Sequence, residues 1–475
     1  MKLLAALTCL LAAVVAGAGS ADAARPREKP MRPITLHPDN PHYFLFRGKP
    51  TVLISSGEHY GAVLNGEFQY VPYLEELRAH GLNQTRLFAG TYREIAGTFR
   101  ITGNTLAPKP EHYIAPWPRT STPGAADGAN KFDLKRWNEA YFPRLRDFCV
   151  QAGRRGVVVE VVLFCPFYDE SLWQINPMNA ANNVNGIGKV SLTEAFTLKE
   201  PELVAVQEAL TRRIVTELRD LDNVYYEICN EAYFGGVTLE WQHRIAEVIT
   251  AAEADLPYRH LIAQNVANGS ARVENLHPAI SVLNFHYASP PDAVAVNYDL
   301  NRPVVFDETG FAGQSDATYR SQAWEFLLAG GAGFSHLDFS FTVGHEDGSF
   351  QYPETQPGGG SRTLRQQLGI LKRFVQGFDF LKMVPAHEVV RSRVPAGREV
   401  RVLAEQGRAY ARYVRDGTET RLVLNLPAGR YRVEWVSPRT GQVEKRETLR
   451  HPGGEATLVS PIYAEDIALR IRAAR

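Results

Sequence analysis

The chain has 475 residues, 44% hydrophobic and 22% charged, with 52 basic and 52 acidic side chains and zero formal net charge. That length holds one large domain and a small one. The balanced charge leaves no electrostatic footprint for nucleic acid or an anionic membrane.

In chain order, the first element reads as an export signal. Lys2 precedes an apolar stretch over residues 3–16, too short for a membrane span, and Ala21-Asp22-Ala23 offers small residues before a cleavage point at Ala24. Residues 1–23 are therefore expected to be a signal peptide, with the mature protein periplasmic or extracellular. No later apolar run is long enough to span a membrane. Cys149, Cys165 and Cys229 remain, an odd set without CxxC spacing, and read as core thiols.

Apolar, β-branched runs then alternate with helical stripes. Strands are expected over residues 51–55, 82–87, 156–164, 224–229, 260–263, 280–285, 304–306 and 333–337. Between them apolar residues recur at steps of three and four, as in Trp137, Tyr141, Leu145, Phe148 and Ala152. Eight such units predict a (β/α)₈ TIM barrel, placed over residues 33–383. A doubly wound sheet would alternate similarly, but no Gly-rich phosphate fingerprint supports one. Long segments follow strands two, three and eight, on the rim where this fold places its chemistry. Trp117, Trp173, Tyr168 and Phe234 lie in rim segments, as sugar-stacking rings or loop anchors. The Gly358-Gly359-Gly360 run reads as a flexible lid. From residue 384 the period changes to two: Tyr431, Val433 and Trp435 alternate with polar neighbours, as do Ile467, Leu469 and Ile471. A small antiparallel β-sandwich is expected over residues 384–475.

Two acids close two of the buried strands. Glu231 follows Val224-Tyr-Tyr-Glu-Ile-Cys229 and Asn230, and Glu308 ends Pro303-Val-Val-Phe-Asp307. Each could be a structural ion-pair partner, but paired carboxylates at strand ends are what glycosidic bond cleavage needs. Glu231 is read as general acid/base, with surroundings that raise its pKa, and Glu308 as nucleophile. Asp307 is expected to face the barrel wall or fix an Arg. A separation near 5 Å would mean retention of configuration, and about 6.5–9.5 Å inversion. Asn230 is expected to bond a sugar hydroxyl, Arg86 to keep Glu308 ionised, and His286 and Tyr287 to contact Glu308 or substrate. His59 and Asp338, after strands one and eight, are further candidate sugar contacts.

These residues resemble glycoside hydrolase clan A, and within it family 5 and cellulase-like barrels of unassigned specificity. The likeness covers about residues 33–383 and rests on Asn230-Glu231, on Glu308-Thr309-Gly310 and on Arg86. It implies a retaining glycosidase without cofactor or metal, acting on an oligosaccharide or polysaccharide. Two departures bear on substrate: His286 and Tyr287 are adjacent where the family has His-x-Tyr, and Leu337-Asp-Phe-Ser-Phe341 lacks the family's Trp after strand eight. The C-terminal module is similar to accessory domains behind such barrels. A non-catalytic carbohydrate-binding barrel and a transglycosylase are the alternatives; retention of Asn230, Glu231, Glu308 and Arg86 together argues against the first.

Overall fold

The computed structural model describes residues 32–392 and 400–474; the expected signal segment, residues 1–23, lies outside them. Eight parallel strands form one sheet: β1 (Leu53–Gly57), β2 (Gln84–Phe88), β3 (Val158–Phe164), β4 (Val224–Cys229), β5 (Ile262–Asn268), β6 (Val282–His286), β7 (Val304–Glu308) and β8 (Gly333–Leu337). Their order is β1-β8-β7-β6-β5-β4-β3-β2. The ring closes between β1 and β2 through one residue, Asn83. The Asn83 backbone N–H donates to the Ile54 carbonyl at 3.1 Å, and its amide accepts from Ile54 N–H at 3.0 Å and donates to the Val52 carbonyl at 2.9 Å. An amide thus replaces strand hydrogen bonds where the ladder is missing. Helices such as Tyr141–Arg154, Pro201–Leu218 and Arg362–Gln376 cover the outside and bury their apolar faces. This is a (β/α)₈ barrel.

The rim segments are packed rather than loose. Trp117 is buried and stacks on Trp137, and the Trp173 indole N–H donates to the Val190 carbonyl at 3.0 Å, so both rings anchor loops. The lid reading of Gly358–Gly360 is not met. All three residues are buried, and a Cβ at Gly358 would lie 1.6 Å from the Gly310 carbonyl oxygen, with one at Gly360 2.0 Å from Asp338 Oδ1. The glycines are there for close backbone approach, not for freedom to move.

The C-terminal strands form a six-stranded antiparallel sheet and a two-stranded one, the latter pairing Arg421–Leu426 with Gly454–Val459. Tyr431, Val433, Trp435, Ile467, Leu469 and Ile471 point between them with Leu422, Leu424 and Leu458, as the alternation predicts. The other face of the larger sheet is also covered. Ala411, Tyr413, Val436 and Ala468 join the barrel's core, Tyr413 stacks on Trp324, and Arg320 pairs with buried Asp466 at 2.7 Å. The described residues of barrel and sandwich therefore make one compact unit. Among the described residues, no helix is long and apolar enough to cross a membrane.

Candidate active site

β4 delivers Asn230 and Glu231 to the carboxyl-terminal rim, and β7 ends on Glu308. The two acids share one buried histidine. His286 Nδ1 lies 3.2 Å from Glu231 Oε1 and 3.5 Å from Glu308 Oε1. One oxygen of each acid and a nitrogen of His286 lie within 4.8 Å of one another. A cavity of about 250 Å³ opens over them, lined by His59, Tyr60, Glu94, Asn230, Tyr287 and a set of aromatic rings. Four of its residues hold left-handed backbone: Tyr60 (φ 68°), Phe99 (φ 51°), Glu231 (φ 39°) and Tyr287 (φ 47°). Such strain costs ~1–3 kcal/mol per residue and persists where surrounding structure enforces it, often at functional sites.

The environments of the two acids differ. Glu308 Oε2 accepts from Arg86 Nη1 and from the Tyr60 hydroxyl, each at 3.2 Å, and Oε1 accepts from Tyr287 at 2.9 Å. Glu231 accepts from the hydroxyls of Tyr168 at 2.5 Å and Tyr233 at 3.2 Å. Burial works to raise the Glu231 pKa, but hydrogen bonding to His286 and its charge, with the two tyrosines, hold the carboxyl below the usual range. That reverses the expected direction, because sequence reading did not place a cation beside Glu231. His286 is itself fully buried; burial opposes its charge, yet Glu308 and Asp307 raise its pKa well above the ordinary value. Its other nitrogen lies 2.5 Å from the Asn265 amide.

Arg86 is buried beneath Glu308. Its Nη2 donates to both Glu227 oxygens at 2.8 and 2.9 Å and to Asn230 Oδ1 at 3.0 Å, and lies 3.3 Å from Asp307. It orients Glu308 and Asn230 and does not line the cavity. Glu160, Glu227 and Asp307 also gather ligand-type atoms within 4.8 Å, but the Arg86 guanidinium already supplies the positive charge there. Burial pushes the Asp307 carboxyl up to about 6, with Arg86 and His286 opposing.

The expected residues thus fall into three places. Glu231, Glu308, Asn230, Tyr287 and His59 line the cavity; Arg86 and His286 lie beneath it and hold the acids. Asp338 does not reach it. Its oxygens accept from Ser56 (2.9 Å), Arg365 (2.6 Å) and Ser340 (2.6 Å), and it is 1% exposed, so it ties β8 to the last barrel helix. Sequence reading missed Glu94, Tyr233 and the roles of Tyr60 and Glu227. Glu227 had a signal, as a charge inside an otherwise apolar strand.

With that geometry, the comparison with known proteins is informative about fold. No protein-family model matches the sequence, and no curated protein does. Solved structures do. The fold is one that glycoside hydrolases use. A structure described as a glycoside hydrolase covers 93% of this chain and 97% of its own at 13% identity, with a TM-score of 0.63. A glycoside hydrolase family 5 structure from Bacteroides vulgatus covers 93% of each chain at 13% identity, TM-score 0.63. An endo-1,4-beta-mannanase from Rhizomucor miehei covers 73% of this chain and all of its own at 13% identity, TM-score 0.50.

Removing the Tyr168 hydroxyl tests the Glu231 environment. That bond favours the ionised carboxylate, so Tyr168→Phe is expected to raise the Glu231 pKa. If protonated Glu231 is the acid, the alkaline limb of kcat/KM moves to higher pH. An unmoved limb would mean that another group sets it.

Proposed function

We propose that the protein is a retaining glycoside hydrolase that acts outside the cytoplasm, with residues 33–383 as catalytic domain and 384–475 as accessory module. The observation that carries this reading is the pair of carboxylates, Glu231 and Glu308, with one oxygen of each within 4.8 Å of the other at the floor of a strand-end cavity. Retaining enzymes hold their carboxyls ~5–5.5 Å apart, whereas inversion needs ~6.5–9.5 Å for an intervening water.

In this mechanism Glu308 attacks the anomeric carbon, and Arg86, Tyr60 and Tyr287 fix the direction of attack. Glu231 gives a proton to the leaving oxygen. The proton lies one hydrogen bond away on His286, held there partly by the Glu308 charge. Forming the glycosyl ester cancels that charge and lowers the proton affinity of the His286–Glu231 pair. Glu231 is then left ionised to take a proton from the water that releases the sugar.

The test is a panel of 4-nitrophenyl glycosides of both anomers, β-mannoside included because one fold relative is a mannanase. Proton NMR of the first-formed sugar should show the anomeric configuration of the substrate. The opposite anomer would exclude retention, and no turnover on glycosides or polysaccharides would exclude the hydrolase.

A further inference from the structure

The cavity wall also holds a polar pair, His59 and Glu94, whose bonding is incomplete. His59 is 8% exposed, and among the described residues neither ring nitrogen has a hydrogen-bond partner. Its Nε2 stands 3.8 Å from Glu94 Oε2, beyond hydrogen-bond reach. An unpaired buried polar group costs ~1–3 kcal/mol, so the arrangement suits a ligand that completes it.

Both side chains are held in place. Glu94 accepts from the Tyr92 hydroxyl at 3.0 Å and from the Asn104 amide. His59 is set by its neighbour Glu58, which accepts the N–H groups of Gly61 and Ala62 at 3.0 Å and the Thr105 hydroxyl at 2.7 Å. That carboxylate ties the segment after β1 to the segment after β2, the two that carry His59 and Glu94.

Around the mouth, aromatic rings from four loops touch in series. Phe311 meets Phe99 at 6.2 Å, Phe99 meets Tyr168 at 5.3 Å, and Tyr168 meets Phe234 at 6.0 Å. These residues follow β7, β2, β3 and β4, so one side of the mouth is walled by contacts between loops. Ligand sites for drug-sized molecules run to ~300–1,000 Å³. At about 250 Å³, this cavity lies below that range.

We infer that the cavity receives only the terminal sugar of a glycoside or glycan, and that His59 and Glu94 select this sugar by clamping one of its hydroxyls. The hydroxyl donates to Glu94 and accepts from His59, bridging the two from the cavity side. Cleavage is then exo, releasing monosaccharide from a chain end. This rests on the glycosidase reading above.

The experiment takes the 4-nitrophenyl glycoside that wild type hydrolyses, its monodeoxy analogues, and the variants His59→Ala and Glu94→Gln. In wild type, removing one particular hydroxyl should lower kcat/KM by at least ~10²-fold. Each variant should lose a similar factor on the parent glycoside and lose almost nothing further on that one analogue. Multiplying losses at every position would overturn the clamp. A linear pentasaccharide of the same sugar should yield monosaccharide first, and internal cleavage would overturn exo action while leaving the glycosidase intact. Absence of turnover on every glycoside removes the underlying reading, and the clamp with it.

Discussion

Replacing Glu308 with Ala is expected to abolish glycoside hydrolysis, with kcat falling by at least ~10⁴-fold, as when a catalytic nucleophile is removed elsewhere. The variant should still fold. Arg86 loses one partner but keeps Glu227 at 2.8 Å and Asp307 at 3.3 Å, so no buried charge is stranded. The shortened side chain leaves a gap beside the anomeric carbon, with Glu231 and its three hydrogen-bond partners untouched. Azide fits such a gap. Adding it should restore turnover on an activated aryl glycoside by attack at the anomeric carbon and expulsion of the phenol, giving a glycosyl azide of inverted configuration. The same azide should do nothing for Glu231→Ala by that route, because Glu308 still occupies the attacking face. Rates and product configuration for the two variants assign the roles separately. A Glu308→Ala enzyme of near-normal rate would move the nucleophile elsewhere, and azide rescue with inversion in Glu231→Ala instead would exchange the two roles.

How much of this was legible depended on whether a residue's partners lie near it in sequence. The barrel was readable because its strands are buried on both faces and so are apolar throughout, as in Val224–Cys229, whose bounds are those expected. Strand ends were missed where the chain turns polar. β5 continues through Gln264, Asn265 and Asn268, and β7 through Asp307 and Glu308. Asn265, Asp307 and Glu308 turn into the polar site, where Asn265 meets His286 and Asp307 meets Arg86, while Gln264 turns outward to Gln242 on a covering helix; hydropathy carries no trace of either. The two acids were found because strand ends in this fold converge. Asp338 sits at such an end too, but its direction is set by Arg365, Ser56 and Ser340 from other elements. The Glu231 environment failed for a related reason. Its bond to His286 crosses 55 positions, so the sign of the pKa shift depended on packing that no local pattern encodes.

Arg86→Met is expected to be the most destabilising single change at the site, at ~3–5 kcal/mol, because it removes one side of a buried ion cluster and leaves the other. The guanidinium is fully buried and meets Glu227 through two hydrogen bonds, Asp307 at 3.3 Å, Glu308 at 3.2 Å and Glu160 at 3.6 Å. No other Arg or Lys pairs with Glu160, Glu227 or Asp307 among the described residues. Burial already pushes Glu160 well above the carboxylate range, and Asp307 to about 6, while Arg86 is the main force holding Glu227 down against its burial. Without Arg86 the Glu160 and Asp307 pKa values rise further and that of Glu227 rises as well, so that all three lie above the unfolded value near ~4. The sign of the pH dependence follows. Below pH ~4 these acids are protonated in both folded and unfolded chains, and the electrostatic part of the penalty is absent; as pH rises, the unfolded chain releases protons that the folded one keeps, and the penalty grows. Denaturant unfolding of wild type and variant at pH 4 and pH 8 should therefore show a larger gap at pH 8. Arg86→Lys should recover only part of it, since an ammonium cannot make the forked contact to Glu227 while reaching Glu308. A gap of equal size at both pH values would mean that Arg86 stabilises by filling space, and its charge would have no part in setting the acids above it.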